Sequence, residues 1–266
     1  MTYELGFIGA GNMAEAIARA ALDKGVLSAG QMIASDPAEP RRGVFAALGI
    51  AATDDNAQVI AQSKQVLLAV KPQMMAAAAA DLAAHLREDQ VVLSIMAGIT
   101  TAKLSAAVGR PVRCVRIMPN TPLQVGYGMA GVAMGQAARP GDDELAMRLF
   151  SAAGEAVRVE EAKLDAVTAV SGSGPAYVFY LAEAMEKAAR ELGLGDDAPR
   201  FVRQTILGAA QLLAQSEHPP AELRRLVTSP GGTTAAAIRH MDGNSTTAVI
   251  VNAVKAAHKR SIELGQ

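Results

Sequence analysis

The chain has 266 residues, half of them apolar, with only five Phe, four Tyr and no Trp, so small aliphatic side chains must build its core. Its 25 basic and 26 acidic residues give a formal charge of −1 without blocks of like charge, which argues against nucleic-acid or acidic-membrane binding and favours a small-molecule partner. One cysteine, the lack of a bilayer-spanning apolar stretch and the absence of a basic export signal predict a cytoplasmic protein without disulfides or membrane segments.

The first part of the chain alternates short apolar runs with longer helix-like stretches. This pattern is typical of β-α units around a parallel sheet. Residues 1–160 are therefore predicted to form a dinucleotide-binding domain with a doubly wound, mostly parallel sheet of the Rossmann type. The predicted strands are Leu5–Ile8, Met32–Ala34, Val66–Val70, Val91–Ile95, Val112–Ile117, Gly131–Met134 and Ala156–Val159.

After Lys163 no convincing strand pattern follows, and residues 161–266 are predicted to form an all-helical second domain. Several of its helices carry Ala and Leu on more than one face, so we expect a partner subunit to cover them. The predicted helices are Ala162–Val170, Ala176–Leu192, Ala198–Ser216, Ala221–Val227, Thr234–Met241 and Ser245–Leu264.

The segment Gly9-Ala10-Gly11-Asn12-Met13-Ala14 follows the first strand and begins the first helix. It fits the Gly-x-Gly-x-x-Gly/Ala pattern in the required strand-turn-helix context. Gly9 permits a tight turn, Gly11 removes a Cβ that would block a pyrophosphate, and Ala14 lets the helix approach the strand. The helix N-terminus then attracts the phosphates of NAD or NADP.

The second strand ends at Ser35-Asp36, where an acidic side chain can bind the adenosine ribose of NAD. Arg41 and Arg42 follow shortly and suit either the 2′-phosphate of NADP or a solvated surface, so the choice between NADPH and NADH stays open. Lys71-Pro72 and Met96-Ala97-Gly98 end later strands at the same predicted edge. The Lys71 side chain either contacts the cofactor or merely precedes a helix that begins at Pro72.

Three later segments read as loops: Met118–Pro122, Ser171–Pro175 and Ser229–Thr234. In the last one, two glycines stand between hydroxyl residues just before a helical run. Backbone N–H groups in such a loop can converge on an anion, although a plain capped helix start would look similar. The sequence therefore offers a carboxylate site that needs no charged side chain.

These motifs, taken in order along essentially the whole chain, resemble those of the pyrroline-5-carboxylate reductase family. They are the N-terminal Gly-Ala-Gly, Ala69-Val70-Lys71-Pro72, Met118–Pro122, Ser171–Tyr177 and Ser229–Thr234. The resemblance implies a Rossmann domain, a helical dimerisation domain, and reduction of 1-pyrroline-5-carboxylate to L-proline by NADPH or NADH, the last step of proline synthesis. It also implies a homodimer or a higher assembly of dimers.

The resemblance further implies roles for individual residues. The substrate carboxylate is expected at Ser229, Gly231, Gly232 and Thr233, and the Thr234 hydroxyl at the ring nitrogen. Asp36 departs from the Ser or Arg of many NADPH-preferring members, so strict NADP specificity is not expected. The full set of expected cofactor contacts is Gly9, Ala10, Gly11, Asn12, Met13, Ser35, Asp36, Asn56, Ala69, Val70, Lys71, Pro72, Met96, Ala97 and Gly98.

Two other functions compete with imine reduction. A β-hydroxyacid dehydrogenase would share the two-domain plan, but its lysine and asparagine pair is missing from the helix that follows Pro175. A non-catalytic redox sensor would bind NAD(P)H but would have no use for the Ser229–Thr234 loop. The four histidines lack metal-ligand spacing, and Cys114 lies in a predicted strand, so no metal site is expected.

Overall fold

A computed structural model describes residues 3–265. The chain divides into two compact units, the first made of Met1–Ser173 with Ala257–Gln266 and the second of Gly174–Ala256. The two units together have the predicted fold class, a Rossmann-type sheet domain followed by helices. The boundary at residue 160 between a dinucleotide-binding domain and a helical dimerisation and substrate-binding domain stays a prediction.

The first unit contains a single eight-stranded sheet. Its strand order is β3-β2-β1-β4-β5-β6-β7-β8, and the pairs from β3 to β6 are parallel. β7 runs antiparallel to β6 and β8 runs parallel to β7, so the sheet is mostly parallel, as predicted. The strands are β1 (Tyr3–Ile8), β2 (Met32–Ser35), β3 (Ala51–Thr53), β4 (Ser63–Leu68), β5 (Val91–Ser94), β6 (Cys114–Met118), β7 (Gly128–Met134) and β8 (Gly154–Arg158).

Helices cover both faces of this sheet, and the core is split between those faces. Neighbouring residues of β1 show this, because Phe7 belongs to one buried cluster and Ile8 to the other. Phe7 packs edge-on against Phe45 with ring centroids 5.6 Å apart, while most other core residues are aliphatic. The helices of this unit are α1 (Asn12–Asp23), α2 (Glu39–Ala47), α3 (Asn56–Gln62), α4 (Met75–His85), α5 (Thr101–Val108), α6 (Glu144–Ala152) and α7 (Leu164–Val167).

The rest of the chain is helical, as predicted. Many of its large apolar side chains are exposed in the single chain, including Phe179, Leu212 and Val249. No helix within residues 3–265 has both the length and the apolarity that crossing a bilayer requires. The helices are α8 (Gly174–Glu191), α9 (Ala198–Gln215), α10 (Pro220–Leu226), α11 (Thr233–Gly243) and α12 (Thr246–Gly265).

The expectation of a loop at Ser171–Pro175 is wrong. A π-helical turn spans Thr168–Gly172, and α8 begins directly afterwards at Gly174. The Ser173 N–H donates to the Thr168 carbonyl five residues earlier at 2.8 Å. The wide turn absorbs one extra residue within a continuous helical path, so the two glycines of this segment do not break it.

Candidate active site

The turn between β1 and α1 requires glycine at its first position. Gly9 has a φ of +92°, and a Cβ there would lie 2.9 Å from the Ala69 carbonyl oxygen. The Gly9 N–H donates to the Ser35 carbonyl at 2.9 Å. The turn is thus held against the ends of both strands that flank β1, as the glycine pattern predicts.

Gly11 leaves an open space at the beginning of α1. It is the N-cap residue, no side chain caps the helix, and a Cβ at Gly11 would have no atom within 4 Å. Asn12 and Met13 form the first turn, and the fully buried Ala14 lets α1 pack closely on the sheet. The uncapped N–H groups at the positive end of α1 therefore border a free space that suits a pyrophosphate.

Ser35 and Asn56 belong to one chain of hydrogen bonds. Ser35 is fully buried, and its hydroxyl donates to Asn56 Oδ1 at 2.6 Å. Asn56 in turn donates from Nδ2 to Asp81 Oδ2 at 2.7 Å. Ser35 therefore orients the half-buried Asn56, and Asn56 is the member of this pair that keeps exposed surface.

Asp36 joins the end of β2 to the glycine turn. Its Oδ2 accepts from the Ala10 N–H at 2.9 Å, and its Oδ1 accepts from the Ala38 N–H at 2.9 Å. A carboxylate has about four lone-pair positions, so these two bonds leave acceptor capacity for ribose hydroxyls. The half-buried Asp36 is thus fixed in position without being saturated.

The segments after β4 and β5 complete this edge of the sheet. Because β2, β1, β4 and β5 are parallel neighbours, the segments that follow them share the edge with the glycine turn. In the segment Ala69–Pro72 the Lys71 side chain is exposed, and in Met96–Gly98 Met96 is buried while Ala97 is exposed. All fifteen expected cofactor contacts therefore lie in the first unit, along this edge.

Asn120 is a structural residue of this edge that the sequence did not single out. Its Nδ2 donates to the carbonyl and hydroxyl oxygens of Ser171, both at 3.2 Å, and its Oδ1 accepts from the Met129 N–H at 2.9 Å. Asn120 thereby joins the loop after β6, strand β7 and the π-helical turn. The only sequence signal was its place in the Met118–Pro122 motif.

In the second unit, Ser229–Thr234 forms a glycine turn that leads into α11. Gly231 has a φ of +73°, and the Gly232 N–H donates to the Ser229 carbonyl at 3.1 Å. A Cβ on Gly232 would push the Ser229 hydroxyl aside and would lie 3.2 Å from the Ser229 carbonyl oxygen, so this turn favours glycine there. Gly232 is the N-cap residue, no side chain caps α11, and Thr233 and Thr234 form its first turn. The N–H groups of this turn can therefore bind an anion.

The other candidate reactive groups have structural roles. Cys114 is buried in β6, and burial raises the pKa of its thiol, with Glu161 adding to the shift, so no thiolate nucleophile forms at neutral pH. His85, His218 and His240 are exposed and His258 is half-buried. Within residues 3–265, no three His, Cys, Asp or Glu side chains are grouped as metal ligands.

Comparison with known protein families gives matches on both parts of the chain. Residues 161–264 match the family model for pyrroline-5-carboxylate reductase dimerisation. Residues 4–98 match the model for NADP oxidoreductase, coenzyme F420-dependent, which covers the glycine turn and the segments after β2, β4 and β5.

Individual relatives match the whole chain. The pyrroline-5-carboxylate reductase of Pseudomonas aeruginosa is 45% identical over 268 aligned residues, which cover 100% of this chain and 98% of the relative. The solved pyrroline-5-carboxylate reductase from Coxiella burnetii is 33% identical, with a TM-score of 0.92 and full coverage of both chains. The Plasmodium falciparum pyrroline carboxylate reductase, solved with NADP bound, is 27% identical with a TM-score of 0.88 and covers 99% of this chain and 98% of its own. The chain belongs to the pyrroline-5-carboxylate reductase family.

Proposed function

We propose that this chain reduces 1-pyrroline-5-carboxylate to L-proline with NADPH or NADH, the last step of proline biosynthesis. The observation that carries the proposal is the full-length relationship to the P. aeruginosa reductase at 45% identity. The uncapped α1 terminus beside Gly11 supports it independently, because the residues present fit a dinucleotide pyrophosphate.

The edge of the sheet provides the cofactor site in this proposal. N–H groups from Gly11 to Met13 bind the pyrophosphate, Asp36 accepts from the adenosine ribose, and Asn56 presents its amide from the Ser35–Asp81 chain. The segments Ala69–Pro72 and Met96–Gly98 would hold the nicotinamide half. The bound nicotinamide cofactor supplies hydride, and the chain supplies position and a small-residue surface.

The Ser229–Thr234 turn provides the substrate site. Its N–H groups and the hydroxyls of Ser229 and Thr233 bind the substrate carboxylate, and Gly231 and Gly232 let the backbone approach. The Thr234 hydroxyl bonds the ring nitrogen and orients the C=N carbon, while solvent supplies the imine proton. In this division of labour residues 1–160 hold the cofactor, and residues 161–266 hold the substrate and pair the subunits.

The chain forms a homodimer through its dimerisation region. We further propose that the dimers assemble into a larger particle and that the enzyme works in the cytoplasm. The exposed apolar side chains of α8, α9 and α12 provide surface for pairing the two subunits. The near-neutral charge and the lack of like-charge blocks favour a small molecule over nucleic acid as the ligand.

The direct test follows NADH and NADPH absorbance with pyrroline-5-carboxylate, at equal concentrations of the two cofactors. We expect oxidation of at least one cofactor and stoichiometric formation of proline. If neither cofactor is oxidised, imine reduction is ruled out. Dinucleotide binding without turnover would instead favour a redox sensor.

The role of Thr234 has its own test. We expect Thr234→Ala to lower kcat/KM about 5–30-fold, the effect of one lost hydrogen bond of about 1–2 kcal/mol. Thr234→Ser keeps a hydroxyl and is expected to retain most of the activity. An unchanged kcat/KM in Thr234→Ala would remove Thr234 from the mechanism.

A further inference from the structure

The ion pairs around the glycine turn address the choice between NADH and NADPH. We propose that Asp36 and Glu15 together make this chain select NADH, with Asp36 repelling a 2′-phosphate and Glu15 holding Arg41 away from it. This inference rests on the proposed function, because it concerns the cofactor of that same reaction. It assigns Glu15, a residue of α1 with no expected cofactor contact, as a positioning residue for cofactor preference.

Asp36 places a negative charge at the end of β2. The bonds from the Ala10 and Ala38 N–H groups, both 2.9 Å, fix its carboxylate in this position. A ribose hydroxyl can donate to the remaining lone pairs, whereas a 2′-phosphate carries about −1.5 to −2 charges at neutral pH and has no proton to spare for a strong bond. Asp36 therefore accepts the ribose of NADH and opposes the phosphate of NADPH.

Arg41 is the cation that could reverse this preference, and two of its five N–H donors are engaged within the protein. Its Nε donates to the Ala10 carbonyl at 2.6 Å, and its Nη2 donates to Glu15 Oε2 at 2.8 Å. Glu15 also accepts from Arg19 at 2.9 Å. Since the Arg41 and Glu15 side chains are only 27% and 23% exposed, their pairing is screened less than a pair in open solvent.

Glu15 keeps its charge at neutral pH. Partial burial raises its pKa, but the hydrogen bonds and charges of Arg19 and Arg41 together outweigh that effect and hold the pKa of Glu15 below its usual value. The network Arg19–Glu15–Arg41 is therefore intact under the conditions in which the enzyme works. A 2′-phosphate would have to compete with a carboxylate that is already in place.

Arg42 is held by the backbone through one of its three nitrogens. Its Nη1 donates to the carbonyl oxygens of Asp36 and Pro37, both at 2.8 Å. The guanidinium thus satisfies the turn between β2 and α2. Both arginines that the sequence offered as partners of a 2′-phosphate therefore have partners within the protein.

The test measures binding rather than turnover. Calorimetric titration gives the Kd of NAD⁺ and NADP⁺, and the pair 5′-AMP and adenosine 2′,5′-bisphosphate isolates the effect of the 2′-phosphate. We expect the wild type to bind NAD⁺ at least about 10-fold more tightly than NADP⁺, the scale of one hydrogen bond to a charged group. A wild type that binds NADP⁺ more tightly would overturn the proposal.

Glu15→Gln isolates the positioning role, because it keeps the size of the side chain and removes its charge. We expect its preference for NAD⁺ to fall about 5-fold or more, by a gain in NADP⁺ affinity. Glu39→Gln is the matched control, since the exposed Glu39 begins α2 and has the same charge but no bond to Arg41. The double variant Glu15→Gln/Arg41→Ala is expected to lose the gain.

Two further results would contradict the role of Glu15. One is an equal change in the preference for NAD⁺ in Glu15→Gln and Glu39→Gln, which would mean that the effect comes from the net charge of the protein and not from the bond between Glu15 and Arg41. The other is a gain in NADP⁺ affinity that survives in the double variant. None of these binding measurements contains the imine substrate. If the proposed reaction fails, the absorbance assay shows it, and the ratio of the Kd values of NAD⁺ and NADP⁺ still decides this inference.

Discussion

Gly9 and Gly11 lie in the same turn, but glycine is needed at the two positions for different physical reasons. Alanine substitutions at Gly9 and Gly11 should therefore have different effects on stability. Gly9→Ala forces a φ of +92° on a residue with a Cβ that meets the Ala69 carbonyl at 2.9 Å. We expect the free energy of unfolding to fall by about 1–3 kcal/mol. Gly11→Ala meets nothing within 4 Å, so we expect its stability to stay within about 0.5 kcal/mol of wild type.

Gly11→Ala should weaken dinucleotide binding although it leaves the stability nearly unchanged. A Cβ at Gly11 occupies the space proposed for the pyrophosphate, so we expect Gly11→Ala to raise the Kd of NAD⁺ about 10-fold or more. Thermal unfolding without ligand and calorimetric titration measure the two effects separately. Wild-type affinity in Gly11→Ala would place the phosphates elsewhere.

The sequence predicted the position of Asp36 but not what its neighbours do. A fixed spacing after a glycine pattern locates the acidic residue, because the strand, turn and helix between them have a standard length. The partners of Arg41 depend on where α1 and α2 lie in space, and Glu15 is 26 residues away in sequence. For the same reason the burial of Ser35 and the three bonds of Asn120 could not be read from local pattern.

At the scale of elements, the strands buried on both faces could be predicted from the sequence, whereas the short edge strand β3 could not. The second half of β4, Val66–Leu68, and the first three residues of β5, Val91–Leu93, are continuously apolar and buried, which is typical of central strands. β3 has only three residues, Ala51–Thr53, which lie at the sheet edge with none fully buried, so their sequence carries no alternation or apolar run. The reversed direction of β7 depends on the turn after β6, which apolarity does not encode.

Glu161 connects three elements, and its removal should destabilise the first unit. Its carboxylate accepts from the Thr101 N–H at 2.7 Å and from the Thr101 hydroxyl at 2.6 Å, and it lies 3.5 Å from Arg116 Nη1. The Arg116 side chain is only 6% exposed. Glu161→Ala leaves that charge unpaired, and we expect a loss of about 2–4 kcal/mol in the free energy of unfolding, measured with urea.

The control for Glu161 removes the buried charge as well. In Arg116→Met/Glu161→Ala no guanidinium is left without a partner, so the double variant should be more stable than Glu161→Ala alone. Equal stability of the two variants would show that the Thr101 bonds, and not the ion pair, account for the loss.

At the scale of the whole molecule, the apolar residues of this chain serve two purposes. Some build the core of the first unit, and others lie on the helices of the second unit, where a partner subunit can cover them. Few residues of the second unit are buried in the single chain, and its helices expose many large apolar side chains, which is typical of a surface that binds another protein. The match to a dimerisation family over residues 161–264 makes a second copy of this chain the expected partner for them. Because several helices carry apolar residues on more than one face, the sequence predicted that the chain needs a partner subunit. The individual contacts between the subunits could not be predicted, since they depend on the position of a second chain.

Phe179 offers the sharpest test of this subunit pairing. Its side chain on α8 is 62% exposed in the single chain, so burying it in a dimer would stabilise the assembly, and a carboxylate there would have to be desolvated without a partner. We expect Phe179→Glu to elute as a monomer in size-exclusion chromatography with light scattering, with little imine reduction but nearly normal binding of NAD⁺. Ala83→Glu places the same charge on an exposed face of α4 and should remain dimeric and active. A dimeric Phe179→Glu would mean that the subunits pair through a different helical face.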